Sequence, residues 1–255
     1  MREEIDKLLE LLKLGGMREK IDEITAQVER AGDPPEKLLK NLLQEEWRYR
    51  QERSMQHRIK QAKLPWEWSI DTFPFEQQPS VSPHQIKSLA GLGFIERSEN
   101  IVFIGPPGTG KSGLAIGLLR QALINGYRGR FYSAQDLIDE LYASLADQST
   151  TRLLKRLSNY DLIVIDEIGY LNLKPEQVNA FFKLMDMRYN RRSTLITTNL
   201  EYDDWYELFG RKTLVDALLD RLRHRCTTIR IDGESLRTPS EDPSPKKNKK
   251  PPDKV

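Results

Sequence analysis

Eight consecutive residues, Gly105-Pro106-Pro107-Gly108-Thr109-Gly110-Lys111-Ser112, carry the spacing G-x-x-x-x-G-K-[ST]. Glycines at these positions let the backbone wrap tightly, so that several N–H groups converge on phosphate oxygens. An apolar stretch at 101–104 precedes the motif and a helical pattern at 113–123 follows it. That strand-loop-helix order is the one the motif requires, and the helix N-terminus adds partial positive charge. Lys111 is expected to reach the β- and γ-phosphates of ATP, and the Ser112 hydroxyl to ligate Mg²⁺.

About fifty residues on, Leu162-Ile163-Val164-Ile165 leads into Asp166-Glu167. Four apolar residues predict a buried strand whose C-terminal end presents two carboxylates, and that end of an open α/β sheet is where ligands bind. Asp166 is expected to hold Mg²⁺, directly or through water, on a strand tip neighbouring the loop. Glu167 is expected to orient and deprotonate an attacking water. The acid pair points to ATP hydrolysis, since transfer to a bound substrate needs no water-activating glutamate there. A further apolar strand at 194–198 ends in Asn199. Its amide could meet the γ-phosphate or the lytic water, or could simply cap the following turn.

These residues need a scaffold. Strand candidates at 101–104, 130–133, 162–166, 194–198 and 227–231 alternate with helical patterns, which predicts an α/β fold with a mostly parallel sheet between helices. A small all-helical domain precedes it over residues 1–64. Ile5, Leu8, Leu9 and Leu12 fall at helical spacing, with Gly15-Gly16 ending the pattern. Asp33-Pro34-Pro35-Glu36 then reads as a capped start, with Asp33 as N-cap, for a helix carrying Leu38, Leu39, Leu42 and Leu43 on its apolar side. That helix runs to about Lys63, where Pro65 stops it. Residues 65–82, rich in proline and aromatics, form a linker that packs against a neighbour. The sheet domain spans 83–237, and a basic tail at 238–255, with Lys246-Lys247-Asn248-Lys249-Lys250, is expected to be disordered.

A chain of 255 residues, 38% hydrophobic, can bury one domain of ordinary size with an appendage. The net charge of +2 excludes a uniformly polybasic binder, so any nucleic-acid contact must be local. The lone Cys226 excludes an internal disulfide and reads as a partly buried thiol. No apolar run nears the roughly 18 residues of a membrane span. Met1-Arg2-Glu3-Glu4 lacks the apolar core of a secretory signal, and a cytoplasmic location is expected.

Beyond the P-loop, further residues carry a resemblance over about 5–237: Leu42-Leu43-Gln44-Glu45-Glu46, Ala62-Lys63-Leu64-Pro65, Ile70-Asp71-Thr72-Phe73, Asp166-Glu167-Ile168-Gly169-Tyr170-Leu171, Arg188-Tyr189, Thr197-Thr198-Asn199, Leu219-Asp220-Arg221-Leu222 and Gly233-Glu234-Ser235-Leu236-Arg237. With these the chain resembles the IstB-like ATPases, transposition helpers of bacterial insertion sequences, which are similar to the helicase loader DnaC among AAA+ P-loop NTPases. The resemblance implies that Asn199 is a sensor of the γ-phosphate, that Arg237 touches that phosphate in its own subunit, and that Arg221 is an arginine finger completing a neighbouring subunit's site. A guanidinium so placed speeds phosphoryl transfer by about 10³–10⁵. Surface salt bridging is the plainer use of such arginines, and Arg211, Arg223 and Arg225 compete for the finger, because Arg225 stands where the family usually has a second histidine. His224 reads as structural or interfacial. Two milder departures are Ser112 for threonine and Leu236 for tyrosine.

Residues 53–63 hold Arg53, Arg58, Lys60 and Lys63 without an acid. A basic helical stripe of this kind contacts phosphates, or is a solvated face balanced by Glu45, Glu46 and Glu52. The resemblance favours duplex DNA, held largely without sequence preference, a transposase partner, and a homo-oligomer with ATP at subunit interfaces. In the alternative, the chain is a helicase-loader-like adaptor whose N-terminal helices bind a protein. Trp66 and Trp68 either stack on DNA bases or pack the linker onto the ATPase domain.

Overall fold

The structure is a computed structural model describing residues 2–169, 171, 173–210 and 212–237. Expectations for Tyr170, Arg211 and the tail from Thr238 onward fall outside those residues.

A five-stranded parallel sheet forms the body, from β1 (Asn100–Ile104), β2 (Gly129–Ser133), β3 (Leu162–Ile168), β4 (Ser193–Thr198) and β5 (Cys226–Arg230), in the order β2-β3-β4-β1-β5. Each expected strand is present. Both faces are covered, and the central strands β1 and β3 carry unbroken apolar runs, Ile101–Ile104 and Leu162–Ile165, rather than alternating with polar residues. Val102, Ile104, Ile163, Ile165 and Ile196 point into one core, while Ile101, Phe103, Leu162, Val164 and Leu195 point into the other. One expectation needs correction. The acid-bearing strand β3 does not neighbour the loop-bearing strand β1, because β4 pairs with both and lies between them.

The helices before the sheet are α1 (Arg2–Leu11), α2 (Gly15–Ala31), α3 (Pro35–Ala62), α4 (Pro83–Ala90) and α5 (Gly93–Glu96). Within it come α6 (Lys111–Ile124), α7 (Ala134–Ala146), α8 (Thr150–Ser158), α9 (Pro175–Arg188), α10 (Trp205–Phe209) and α11 (Lys212–His224). Helices α7 to α11 close the first core, where Trp205 is completely buried against Phe209. Helices α4 and α6 close the second. Arg188, 1% exposed, has no carboxylate among its hydrogen-bond acceptors. It donates instead to the carbonyls of Leu157, Tyr160 and Ser193 and to the Thr194 hydroxyl, tying α8, the approach to β3 and the start of β4 together. Burial pulls its pKa below the usual arginine value, so those four oxygens have to hold the charge in place. Cys226 is a partly buried thiol, and burial pushes its pKa up to about 11.

The N-terminal helices depart from the sequence reading in three places. Gly15 and Gly16 open α2 rather than terminate α1, and they are small because α3 crosses there: a Cβ on Gly16 would meet the Tyr49 Cβ at 2.6 Å and the Glu45 carbonyl at 2.9 Å. Asp33 does not cap α3, whose N-cap is Pro34; it pairs instead with Lys37 at 2.7 Å. The leucine stripe of α3 is divided, since Leu42 is buried with Leu9, Met17, Ile24 and Val28 while Leu39 and Leu43 are exposed. The carboxylate of Glu46, 5% exposed, accepts from the amides of Gly16 at 2.8 Å and Met17 at 3.2 Å and from Arg50 at 2.6 Å. A residue on α3 thereby satisfies the open N-terminus of α2.

Helix α3, 28 residues long, belongs to both halves of the molecule. Its first half carries the N-terminal core. Its last turns bring Ile59 and the fully buried Ala62 into the second sheet core. The expected boundary at residue 64 therefore lies where the chain is already anchored on the ATPase body, after which Lys63 ends the helix in a left-handed conformation. Residues 65–82 are also part of that body, with Phe73, Gln78 and Val81 buried.

Removing the Glu46 carboxylate should loosen the N-terminal helices alone. Glu46→Ala leaves the α2 amides and Arg50 unanswered and should lower local stability by about 2–3 kcal/mol, read as lost hydrogen-exchange protection in residues 2–50 with the sheet unchanged. Burial opposes the charge of this carboxyl, but the bonds from Arg50, Met17 and Gly16 outweigh it and hold the pKa below the usual glutamate value. The stabilisation is thus present above the ordinary glutamate pKa and is lost as pH falls through the depressed native one.

Candidate nucleotide site

The motif at 105–112 forms the expected loop between β1 and α6. Gly108 and Gly110 have φ of +83° and +91°, a left-handed conformation that side chains disfavour. Thr109, fully buried, braces the turn by donating to the Pro106 carbonyl at 2.9 Å. Helix α6 starts at Lys111 itself, with Gly110 as its N-cap. The Lys111 ammonium, 8% exposed, donates to the carbonyls of Gly105 at 2.7 Å and Pro106 at 2.6 Å. Burial pulls its pKa below the usual lysine range; Asp166 and Glu167 act in the opposite sense, and Arg237 adds to the depression. A cation held this way is suited to anionic oxygens arriving at the loop.

Asp166 ends the regular part of β3, 6% exposed. Burial pushes its carboxyl above the ordinary range, while hydrogen bonds from Thr197 and Ser112 pull it down. The Ser112 hydroxyl and the Asp166 carboxylate thus share one spot and offer hard oxygen donors of the kind Mg²⁺ takes. Among the described residues no three His, Cys, Asp or Glu side chains gather to hold a metal by themselves. When bound, such an ion neutralises charge on the phosphates.

Glu167 is set apart from Asp166 by the backbone. The β3–β4 register shifts between Ile165 and Ile168, and Glu167 has φ of +62°. This bulge turns Glu167 out of the sheet into the open. A left-handed glutamate costs on the order of 1 kcal/mol, and such strain gathers at functional sites. Thr197 of β4 holds the distortion: its hydroxyl accepts from the Glu167 amide at 2.9 Å and donates to the Asp166 carboxylate at 2.5 Å. The sequence assigns Thr197 no role of its own; the available signal is the Thr197-Thr198 pair at the C-terminal end of β4, after Leu195-Ile196.

Asn199 lines the same pocket of about 290 Å³ as Gly108, Lys111, Ser112, Glu167 and Arg237. It is not the cap of the next turn, because Glu201 takes that position and the Leu200 amide donates to Thr198 at 3.0 Å. Gly169 lies against the Asn199 amide so closely that a side chain there would strike Oδ1. Arg237 arrives on a segment laid over the loop, where the Leu236 backbone amide donates to the Gly108 carbonyl at 2.8 Å and the Gln78 side-chain Nε2 to the Glu234 carbonyl at 2.6 Å. Pro107 and Gly113 complete this wall, together with two residues not placed there from sequence, Trp66 and Trp68.

Arg221 lies elsewhere. It faces Asn100 and Thr194, at the starts of β1 and β4, and pairs with Asp186 at 3.3 Å. That is a strand's length, about 15 Å, from the loop of its own chain. Arg223 covers the Tyr202 ring and Arg225 donates to the Arg97 carbonyl. Among the cations of α3, Arg58 is partly buried against α6. Its guanidinium donates to the Leu123 carbonyl at 2.8 Å and to Ser54, fastening α3 to α6. Arg53 lies over the Tyr49 ring, and Lys60 and Lys63 are exposed.

Among the described residues no helix is long and apolar enough to cross a membrane. The family profile described as IstB-like ATP binding protein matches residues 7–243. A protein of Pseudomonas aeruginosa, named for ATP binding in insertion sequence IS21, is 38% identical over 234 residues, 92% of this chain and 88% of its own. Its counterpart in insertion sequence IS5376 of Geobacillus stearothermophilus is 35% identical over 237 residues, 93% and 94% of the two chains. The crystal structure of the DnaC helicase loader superposes with a TM-score of 0.53 at 25% identity, covering 67% of this chain and 99% of that one. The profile spans most of the sequence and the insertion-sequence relatives match over nearly their whole length, so the chain belongs to the IstB-like ATP binding protein family, of AAA+ P-loop fold.

Proposed function

We propose that the protein hydrolyses ATP with Mg²⁺ and acts as a DNA-bound helper of transposition. The observation that carries hydrolysis is the bulge at Glu167, which sets a strained carboxylate at the rim of the pocket that Lys111, Ser112 and Asn199 also line. Asp166 and Ser112 hold the ion, Lys111 and Arg237 meet the β- and γ-phosphates, Asn199 positions the water or the γ-phosphate, and Glu167 takes the proton of the attacking water. Arg221 cannot reach its own phosphates, so it completes a neighbour's site in a head-to-tail homo-oligomer. Arg53, Lys60 and Lys63 hold duplex DNA through its backbone, and a transposase reads the assembled state. The insertion-sequence relatives support transposition.

One observation favours a protein partner on the same helices. Leu39, Leu43 and Trp47 are exposed by 60%, 53% and 64% along one face of α3, a loss of apolar burial that a docking protein would recover. The transposase is the partner in the helper reading, and a helicase would be in the loader reading.

Four variants separate these roles. Lys111→Ala should weaken ATP by about 100-fold in calorimetry. Glu167→Gln should bind ATP as wild type does while phosphate release falls by about 10²–10⁴; equal, near-zero rates in both would leave a nucleotide-binding scaffold. Arg221→Ala should bind ATP normally yet lose about 10³ in turnover within the DNA-bound assembly, and an unchanged rate there would end the idea of a site completed in trans. Lys60→Glu/Lys63→Glu should weaken duplex binding and reduce its salt slope by roughly two; unchanged binding would move the DNA site off α3.

A further inference from the structure

The nucleotide pocket has two chemically different ends. Lys111, Glu167, Asn199 and Arg237 mark where the terminal phosphates and the water belong. Gly113, in the first turn of α6 just beyond Ser112, lies toward the start of the triphosphate, from which the nucleoside must depart. Trp68 covers Gly113 so closely that a Cβ there would meet its indole ring at 2.8 Å. Trp66 lines the same pocket and is 50% exposed, although nothing about a packing role requires so large an apolar surface to face an opening.

The indole Nε1 of Trp68 belongs to this close seat on α6. It is sealed from solvent and meets no hydrogen-bond partner among the described residues. Buried indole donors ordinarily find an acceptor. This one lies against Gly113, where a Cβ would meet it at 3.1 Å, so that side of the ring is turned to α6 rather than to the opening.

We infer that Trp66 and Trp68 form the nucleobase subsite of this pocket, with Trp66 stacking on the base and Trp68 closing the nucleoside end. The inference rests on the nucleotide reading above and deepens it. The wall is carried by the linker rather than by the sheet, and it is brought onto α6 by small residues. Ile70 lies over Gly117, where a Cβ would approach it at 2.8 Å, and Phe73 lies over Gly110, where the approach would be 2.6 Å. An aromatic wall binds a planar base by its face and is indifferent to inorganic phosphate, so its effect is confined to ligands that carry a base.

Full-length wild type, Trp66→Ala and Trp66→Phe are titrated by calorimetry with Mg-ATP and with magnesium tripolyphosphate, which presents the phosphates alone. Trp66 is half exposed, so its replacement leaves the fold intact, checked by circular dichroism. Trp66→Ala is expected to raise the Kd for ATP by about tenfold or more while leaving tripolyphosphate unchanged, and Trp66→Phe to recover most of the loss. Equal weakening of both ligands would make the linker a mere prop for the loop and overturn the inference, as would no weakening of either. Wild type binding ATP and tripolyphosphate equally well would also overturn it while sparing the phosphate site. Wild type binding neither would overturn the nucleotide reading itself.

Discussion

A buried ammonium sets the terms for the rest of the site. Lys111 is nearly removed from water, and burial pulls its pKa below the usual lysine range. Two carbonyls of the loop and the carboxylates of Asp166 and Glu167 oppose that tendency. Asp166 has the converse difficulty, a carboxylate in a place that favours its neutral form. The two groups are compatible because each makes the other affordable, and both are poised for a ligand that brings negative phosphate and positive metal together. The wrapping of the glycine loop, the start of α6 at Lys111 and the insertion of β4 between β1 and β3 all follow as ways of fixing these charges at one end of the sheet.

The insertion of β4 has a positive use. It places Thr197 beside both acids, where one hydroxyl restrains the Asp166 carboxylate and the twisted Glu167 amide at once. The acids are consecutive in sequence but divided in orientation, one drawn inward toward Ser112 and one turned outward by the bulge. Their different environments fit different tasks, metal holding for the buried carboxylate and water activation for the exposed one.

What could be read from the chain was what depends on near neighbours. The loop is eight contiguous residues, and its glycines, lysine and serine announce themselves. The strands are short runs of β-branched and aliphatic residues, buried on both faces, and they stand out against the polar helices. Asn199 stood out by its place at a strand end, and the family resemblance added Arg221 and Arg237, which no local spacing could reveal. What could not be read depends on contacts between distant segments. Gly15 and Gly16 looked like a helix stop, but α3 crosses there and requires small residues. The bond from Arg58 to the Leu123 carbonyl joins α3 to α6, 65 residues apart in sequence. The leucines of α3 had the right spacing, yet only one of the two flanking faces found a partner. Strand order, the left-handed Glu167 and the place of Trp66 and Trp68 in the pocket are likewise properties of the assembled fold.

Helix α3 joins the two halves without a hinge. It enters the N-terminal core near Leu42 and leaves against the sheet domain at Ala62, with no glycine or proline after Pro35 to interrupt it. Each residue of an α-helix turns the chain through about 100°, so the azimuth of the N-terminal helices about this axis is encoded by the number of residues in the span. Losing or gaining one residue there would swing their surface to another side of the molecule, whereas a change of seven would nearly restore it. Along this stretch, chain length itself is a heritable angular setting, and sequence drift can alter side chains freely only while it keeps count.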